Sequence, residues 1–189
     1  ILQRTISMDS SLIERAAGYS RWLNARLAAR PALSEWLHAT HAHPFTRREM
    51  LEFLAPAAGD DEHALKARLR DLRQRVMARL IVRDLGGLAD LVEVTRACSD
   101  LAEVTVTAAR DVIHADLAAI HGEPVNADGS PMRLIVVGMG KLGGHELNVS
   151  SDIDLIFVYP EDGETPGPRK LSHHEFFTRL GKRLIAAIG

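Results

Sequence analysis

The stretch Gly138 to Phe157, GMGKLGGHELNVSSDIDLIF, limits the folds open to this chain more than any other. Its glycines at 138, 140 and 143 spell G-x-G-x-x-G directly after the apolar run Leu134-Ile-Val-Val137. That pattern can open a dinucleotide-binding βαβ unit. Such a unit needs a helix after the glycines, then a second strand ending in an acid about 20 residues on. Here the next apolar run begins at Ile153, and His145 to Ser151 leaves room for about two helical turns. The acids Asp152 and Asp154 also stand at the start of that run rather than at its end. The spacing therefore argues against a dinucleotide. A P-loop fits no better, because Gly144-His145 stand where Lys-Ser/Thr is needed.

A second reading uses every part of the stretch. Side chains alternate across a strand, so Asp152 and Asp154 should face one side while Ile153 and Leu155 face the core. At strand rise their Cα atoms lie about 6.6 Å apart. Carboxylates so spaced can converge on divalent cations, and hard oxygen ligands suit Mg²⁺ or Mn²⁺. Gly143 and Gly144 carry no side chain to keep backbone N–H groups from phosphate oxygens. The loop between glycines and aspartates is short, so both should face one cleft. A lone D-x-D is equally compatible with the solvent side of an edge strand. The full string Leu142-Gly-Gly, seven residues, Asp-Ile-Asp-Leu is more specific.

Upstream the chain reads as helix. Leu12, Ile13, Ala16, Ser20, Leu23 and Leu27 follow a period near 3.6 until Pro31 breaks or restarts the helix. Thr46 and Glu49 form a capping box for a short helix through Leu54, and Pro56 to Gly59 reads as a turn. From Asp60, Leu65, Leu69, Leu72, Val76 and Leu80 make one stripe; Arg68, Arg70, Arg73 and Arg75 read as a solvated face. Gly86-Gly87 ends that helix. Leu88 to Ile120 reads as another, with a kink near Ser99 and a β-branched Val104-Thr-Val-Thr107 run that lowers helix propensity. Gly122 to Pro131 is rich in turn residues, and Ser172 with Glu175 caps a last helix carrying Phe176, Phe177, Leu180, Leu184 and Ile188.

Composition excludes several classes. The formal net charge of -2 gives no global pull toward nucleic acid or a membrane surface. No apolar stretch approaches the ~20 residues that span a bilayer. The single cysteine, Cys98, precludes an internal disulfide framework and fits a reducing, cytoplasmic setting. It reads as a buried structural thiol. Trp22 and Trp36 read as core, and Asn148 as a brace for its loop. His145 reads as a solvated loop residue, and His173-His174 as first-turn helix residues without a third metal ligand. Arg179, Lys182 and Arg183 read as the solvent face of the last helix. The start, Ile1-Leu-Gln-Arg, resembles the middle of a longer protein.

The pattern h-G-G-x₇-D-h-D-h resembles the signature of the DNA polymerase β-like nucleotidyltransferase superfamily. The longer string GMGKLGG-x-ELN-x-SSDIDLIF, followed by HEFFTRLGKRLI, is similar to one family within it, the bifunctional glutamine synthetase adenylyltransferase/adenylyl-removing enzymes. The similarity runs from roughly Arg133 to Ile185 and is to the N-terminal, adenylyl-removing half. The fold class so expected is α+β. A mostly helical part at 1–121 precedes a partial nucleotidyltransferase α/β core with a small sheet at 122–189.

The resemblance implies removal of AMP from an adenylylated tyrosine by phosphorolysis, giving ADP. It places Mg²⁺ or Mn²⁺ on Asp152 and Asp154. Gly143, Gly144, Ser151 and Lys141 would line a site for phosphate and the nucleotides ATP or ADP. The implied partners are glutamine synthetase and a signalling regulatory protein. The family also uses a third carboxylate from a D-x-R-L-R-P-like segment after the last helix. Residues up to Gly189 contain none, so the piece is expected to be catalytically incomplete. Two other readings stay open, a different polymerase β-like nucleotidyltransferase and a non-enzymatic helical docking module.

Overall fold

The structure, a computed structural model, describes residues 12–55 and 62–189. The turn read at Pro56 to Gly59 and the helix start at Asp60 lie outside the described residues. Residues 12–19 are helical, and the chain then breaks at Ser20. There the Ser20 hydroxyl accepts the Leu23 N–H at 3.2 Å and caps a new helix, α1 (Arg21–Ala29). The periodic run from Leu12 to Leu27 is thus two helices rather than one, because a local side-chain cap outcompetes helix continuation. Trp22 on α1 is not core. It is 37% exposed, with the Arg26 guanidinium 5.8 Å from its ring centre.

Helix α2 (Pro31–Thr40) starts with proline at its first position, where no backbone donor is lost. Helix α3 (Arg47–Leu54) carries the Thr46/Glu49 capping box in full. Two long helices follow, α4 (Glu62–Leu85) and α5 (Leu91–His121). Helix α5 runs 31 residues, about 46 Å, without interruption at Ser99. Its β-branched segment stays helical because Val104 and Val106 are buried and Thr105 Oγ1 bonds back to the Leu101 carbonyl at 2.7 Å. Burial outweighs the few tenths of a kcal/mol of unfavourable propensity.

Gly122, at φ +88°, turns the chain into a hairpin-like loop closed by a Val125–Pro131 bridge. Strand β1 (Ile135–Gly138), the single turn α6 (Gly140–Gly143), strand β2 (Leu155–Val158) and helix α7 (His173–Ile188) complete the fold. The strands pair antiparallel, Ile135 opposite Val158 and Gly138 opposite Leu155. The fold is therefore mostly helical α+β with a two-stranded sheet.

One buried cluster takes side chains from both sides of Gly122. Met50, Leu72, Val104 and Ile113 meet Met132, Leu134, Phe176 and Leu180 in it. The inner face of the sheet, Val136, Leu155 and Phe157, packs against this cluster. Its outer face carries Ile135, Val137, Ile156 and Val158, each more than 40% exposed. The Leu134 to Val137 run is thus half open rather than buried on both faces. Ser172 Oγ accepts the Glu175 N–H at the start of α7, while the Glu175 carboxylate turns to Arg179 at 2.6 Å. Arg183 is not free in solvent. It bridges Glu62 of α4 and Asp116 of α5, fastening α7 to both.

Two buried arginines of α4 hold the turn before α3. Arg83 pairs with Glu93 through two nitrogens, at 2.6 and 2.9 Å, and donates to the His41, Ala42 and Leu88 carbonyls. Arg79 lies against the rings of Trp36 and Phe45 at 4.6 and 4.4 Å. Replacing Arg83 with methionine leaves Glu93 and three carbonyls without their donor, at a cost of about 3 kcal/mol. In the full-length protein, amide hydrogen exchange at residues 41–46 should accelerate more than tenfold in Arg83→Met. Unchanged protection there would show that the buried ion pair does not hold the turn.

Candidate functional site

The glycine turn is built by three different requirements. Gly140 sits at φ +53°, a backbone region that a side chain disfavours. A Cβ on Gly143 would come 2.7 Å from the Gly138 carbonyl oxygen, so turn and strand touch backbone to backbone. A Cβ on Gly138 would meet the Leu142 side chain at 2.8 Å. The G-x-G-x-x-G spacing here thus serves a one-turn helix folded back on β1. Because α6 is one turn long and β2 returns antiparallel, the segment from β1 to β2 is not the parallel βαβ crossover of a dinucleotide fold.

Beyond α6 the Glu146 N–H closes on the Lys141 carbonyl at 2.7 Å, and His145 occupies the left-handed region at φ 55°. The loop is then pinned to α5. His145 reaches Glu103 at 3.3 Å, the Leu147 N–H donates to the buried Ser99 hydroxyl at 3.3 Å, and Leu142 and Leu147 bury beside Ala97, Cys98 and Ala102. Glu103 also accepts from Arg47 at 2.7 Å. Ser99 and Glu103 hold the loop in register; the sequence marks Ser99 only as a kink and does not single out Glu103. Burial pushes the Cys98 thiol up to about 11, consistent with a structural cysteine.

Asn148 organises the next turn. Its side-chain oxygen accepts from the Ser150 N–H at 3.1 Å and from the Ser151 hydroxyl at 2.8 Å. The brace read from the sequence is present, and it commits the Ser151 hydroxyl to Asn148.

Asp152 and Asp154 lie just ahead of the β2 ladder rather than within it. The strand's alternation already holds there. Asp152 and Asp154 are exposed, whereas Ile153 and Leu155 are partly buried against the core. The Met139 N–H donates to the Asp154 carbonyl at 2.9 Å, extending the pairing one step beyond Gly138–Leu155. That bond sets Asp154 beside the first residue of the glycine turn. Neither carboxylate has an ion pair or hydrogen bond among the described residues. Two uncompensated carboxylates on one face fit Mg²⁺ or Mn²⁺, which commonly takes one or two carboxylates and completes its shell with water and phosphate. No third metal-ligating side chain joins them among the described residues.

Lys141 is exposed on the same turn and has no ion pair among the described residues. The Gly143 and Gly144 N–H groups donate to the Met139 and Gly140 carbonyls, at 3.3 and 3.1 Å, within the turn. Gly143 borders a hollow shared with Arg47 and Arg110, whereas Asp152 borders a cavity of about 230 Å³ between α4, α5 and the 147–153 segment. Turn and aspartates are therefore joined through Met139 and Asp154 rather than by one continuous hollow. His173 and His174 begin α7, away from these groups.

Gly143→Ala should open the turn, because the nearest atom to the new methyl is backbone. Gly144→Ala should not, since its Cβ would find nothing closer than 3.6 Å. Hydrogen exchange at the Gly144, His145 and Glu146 amides of the full-length protein should rise at least tenfold in the first variant and stay within about twofold in the second. Equal protection in both would refute the backbone contact.

No helix among the described residues is long and apolar enough to cross a membrane. The family model for glutamate-ammonia ligase adenylyltransferase matches residues 10–189. The chain is 51% identical over 180 residues, 95% of its length, to the bifunctional glutamine synthetase adenylyltransferase/adenylyl-removing enzyme of Chromobacterium violaceum. It is 48% identical over 187 residues, 97% of its length, to the protein of the same name from Aromatoleum aromaticum. To that of Nitrosomonas europaea it is 46% identical over 187 residues, 96% of its length. It spans 20% of the length of each of the three. A match over nearly the whole chain, helices and aspartate segment together, places the protein in the glutamate-ammonia ligase adenylyltransferase family.

Proposed function

We propose that the full-length protein removes AMP from an adenylylated tyrosine of glutamine synthetase by phosphorolysis. The carrying observation is the pair Asp152 and Asp154, exposed together on one face and fastened to the glycine turn by the Met139–Asp154 backbone bond. The names of the relatives support the substrate, and the resemblance of the aspartate string to the adenylyl-removing half, read from the sequence, suggests the direction.

In this reading an oxygen of inorganic phosphate attacks the phosphorus of the AMP–tyrosine ester. The bond from phosphorus to the tyrosine oxygen breaks, a proton returns to that oxygen, and ADP departs. Asp152 and Asp154 would hold Mg²⁺ or Mn²⁺, which supplies charge compensation at phosphoryl oxygens when bound. Lys141 brings a cation to the rim of the turn. Gly143 and Gly144 keep that rim free of side chains, and Ser151 fixes the approach to Asp152 through its bond to Asn148. Transfer to a phosphate acceptor needs position and charge compensation more than a general base. A third carboxylate belongs to the full-length protein in this account, so the 189 residues alone should not release ADP from the adenylylated tyrosine. A signalling regulatory protein is the proposed second partner, acting in the cytoplasm.

The test uses full-length protein, adenylylated glutamine synthetase, Mg²⁺ and inorganic phosphate. ADP should form in proportion to tyrosine released. Asp152→Asn and Asp154→Asn should each lower kcat by on the order of a hundredfold or more while the protein stays folded. Wild-type rates in both variants, or AMP as the product instead of ADP, would contradict the proposal. So would ADP release by residues 1–189 alone, as regards the missing carboxylate.

A further inference from the structure

The sequence presents four arginines of α4 as solvated, and the structure divides them. Arg68 donates to the Leu54 and Ala55 carbonyls, at 3.0 and 3.2 Å, closing the end of α3. Arg75 pairs with Asp71 at 3.0 Å and covers the Trp36 ring at 5.1 Å. Arg70 and Arg73 have no ion pair and no hydrogen bond among the described residues. Both instead line a cavity of about 230 Å³ that Asp152, Asn148, the apolar Leu101 and Leu147, and the chain from Ala187 to Gly189 at the end of α7 also line.

Two guanidinium groups one helical turn apart repel each other, and nothing described compensates them. They flank a hollow bordered by a candidate metal ligand. Guanidinium forks match phosphate oxygens in geometry and bind them bidentately, more strongly than neutral donors do. An anion there would meet two guanidinium groups in the hollow that Asp152 also borders. The N–H groups of Gly143 and Gly144 are already used in their turn, and Gly143 borders a different hollow. Arg70 and Arg73 thus offer phosphate two guanidinium groups at α4 that are unpaired among the described residues, whereas the Gly143 and Gly144 N–H groups are not free.

We propose that Arg70 and Arg73 form a phosphate-group subsite that holds the anion taking part in the reaction at Asp152. The proposal rests on the phosphorolytic reading for its place in the reaction, but the subsite itself is a statement about binding. The group held is either inorganic phosphate or the terminal phosphate of ADP, which becomes the same group once the new bond has formed. Arg70 and Arg73 are positioning and binding residues of a helix that the sequence assigns to packing alone.

The test uses full-length wild type, Arg70→Gln/Arg73→Gln and Arg70→Lys/Arg73→Lys. Calorimetric titrations with inorganic phosphate, ADP and AMP are run with Mg²⁺ and again with a chelator. Both arginines are exposed, so the folded state should persist, and unchanged hydrogen-exchange protection along α4 checks it. Affinity for inorganic phosphate or ADP should fall at least tenfold in the glutamine pair, with and without metal. AMP, which lacks the second phosphate, should change less than threefold. The lysine pair should recover part of the loss. A loss for phosphate and ADP alike identifies the attacking anion as the ligand; a loss for ADP alone identifies the product's terminal phosphate. During turnover the glutamine pair should raise KM for inorganic phosphate at least tenfold, with kcat changed less. Unaltered affinity for both ligands and unaltered KM overturn the subsite. If the wild type shows no phosphorolysis yet binds phosphate through these arginines, the functional reading fails and the subsite stands.

Discussion

Helix α5 buries one face along its 31-residue length, and the remaining elements depend on that burial. Val94, Cys98, Leu101, Val104, Ala109, Ile113 and Leu117 are all nearly inaccessible to water. Each buried aliphatic side chain contributes roughly 1.5–3 kcal/mol relative to exposure, so the helix is held by packing and not by its own propensity. Its N-terminal third receives the loop of the candidate site through Ser99, Glu103 and the pocket that buries Leu142 and Leu147. Its C-terminal third receives α7, where His114 lies edge-on to Phe176 at 5.3 Å between ring centres. Site and helical framework are therefore not separable in energy. Loosening α5 would release the loop that aims the aspartates.

The sheet shows the same economy of parts. Four paired positions per strand make a marginal structure by themselves. It persists because Val136, Leu155 and Phe157 sink into the core formed with α5 and α7. The same pleat that buries those residues presents Asp152 and Asp154 to the other side. Core packing thus fixes the direction of the carboxylates without any direct bond to them. Among the described residues neither carboxylate has an ion pair or hydrogen bond, which leaves their charge available to an ion.

Much of this arrangement is legible in the sequence because it rests on local rules. The Thr46/Glu49 cap, the proline start of α2, the Asn148 brace and the alternation around Asp152 each involve residues within a few positions of one another. What escapes the sequence depends on contacts across space. Ser20 looks like one more position in a helical period until its hydroxyl is seen to cap α1. Arg79 and Arg83 are not singled out by the sequence, and they are buried because an aromatic pair and a turn whose carbonyls need donors lie opposite. Trp22 reads as core, although it is 37% exposed with the Arg26 guanidinium over its ring. The difference between Arg68, which closes a helix, and Arg70, which faces a cavity, is invisible without coordinates. The open outer face of the sheet is hidden for a similar reason. An apolar run shows that a strand can be buried on both sides, not that it is.

The account stands on the claim that Asp152 and Asp154 gather a divalent cation beside the glycine turn. Crystals of the full-length protein grown with Mn²⁺ and a nucleotide test this directly through the anomalous scattering of manganese. The account predicts a manganese peak within coordination distance of both carboxylates, with phosphate oxygens completing its shell. A manganese bound elsewhere with both carboxylates left in solvent would contradict it, as would a nucleotide seated away from the two aspartates.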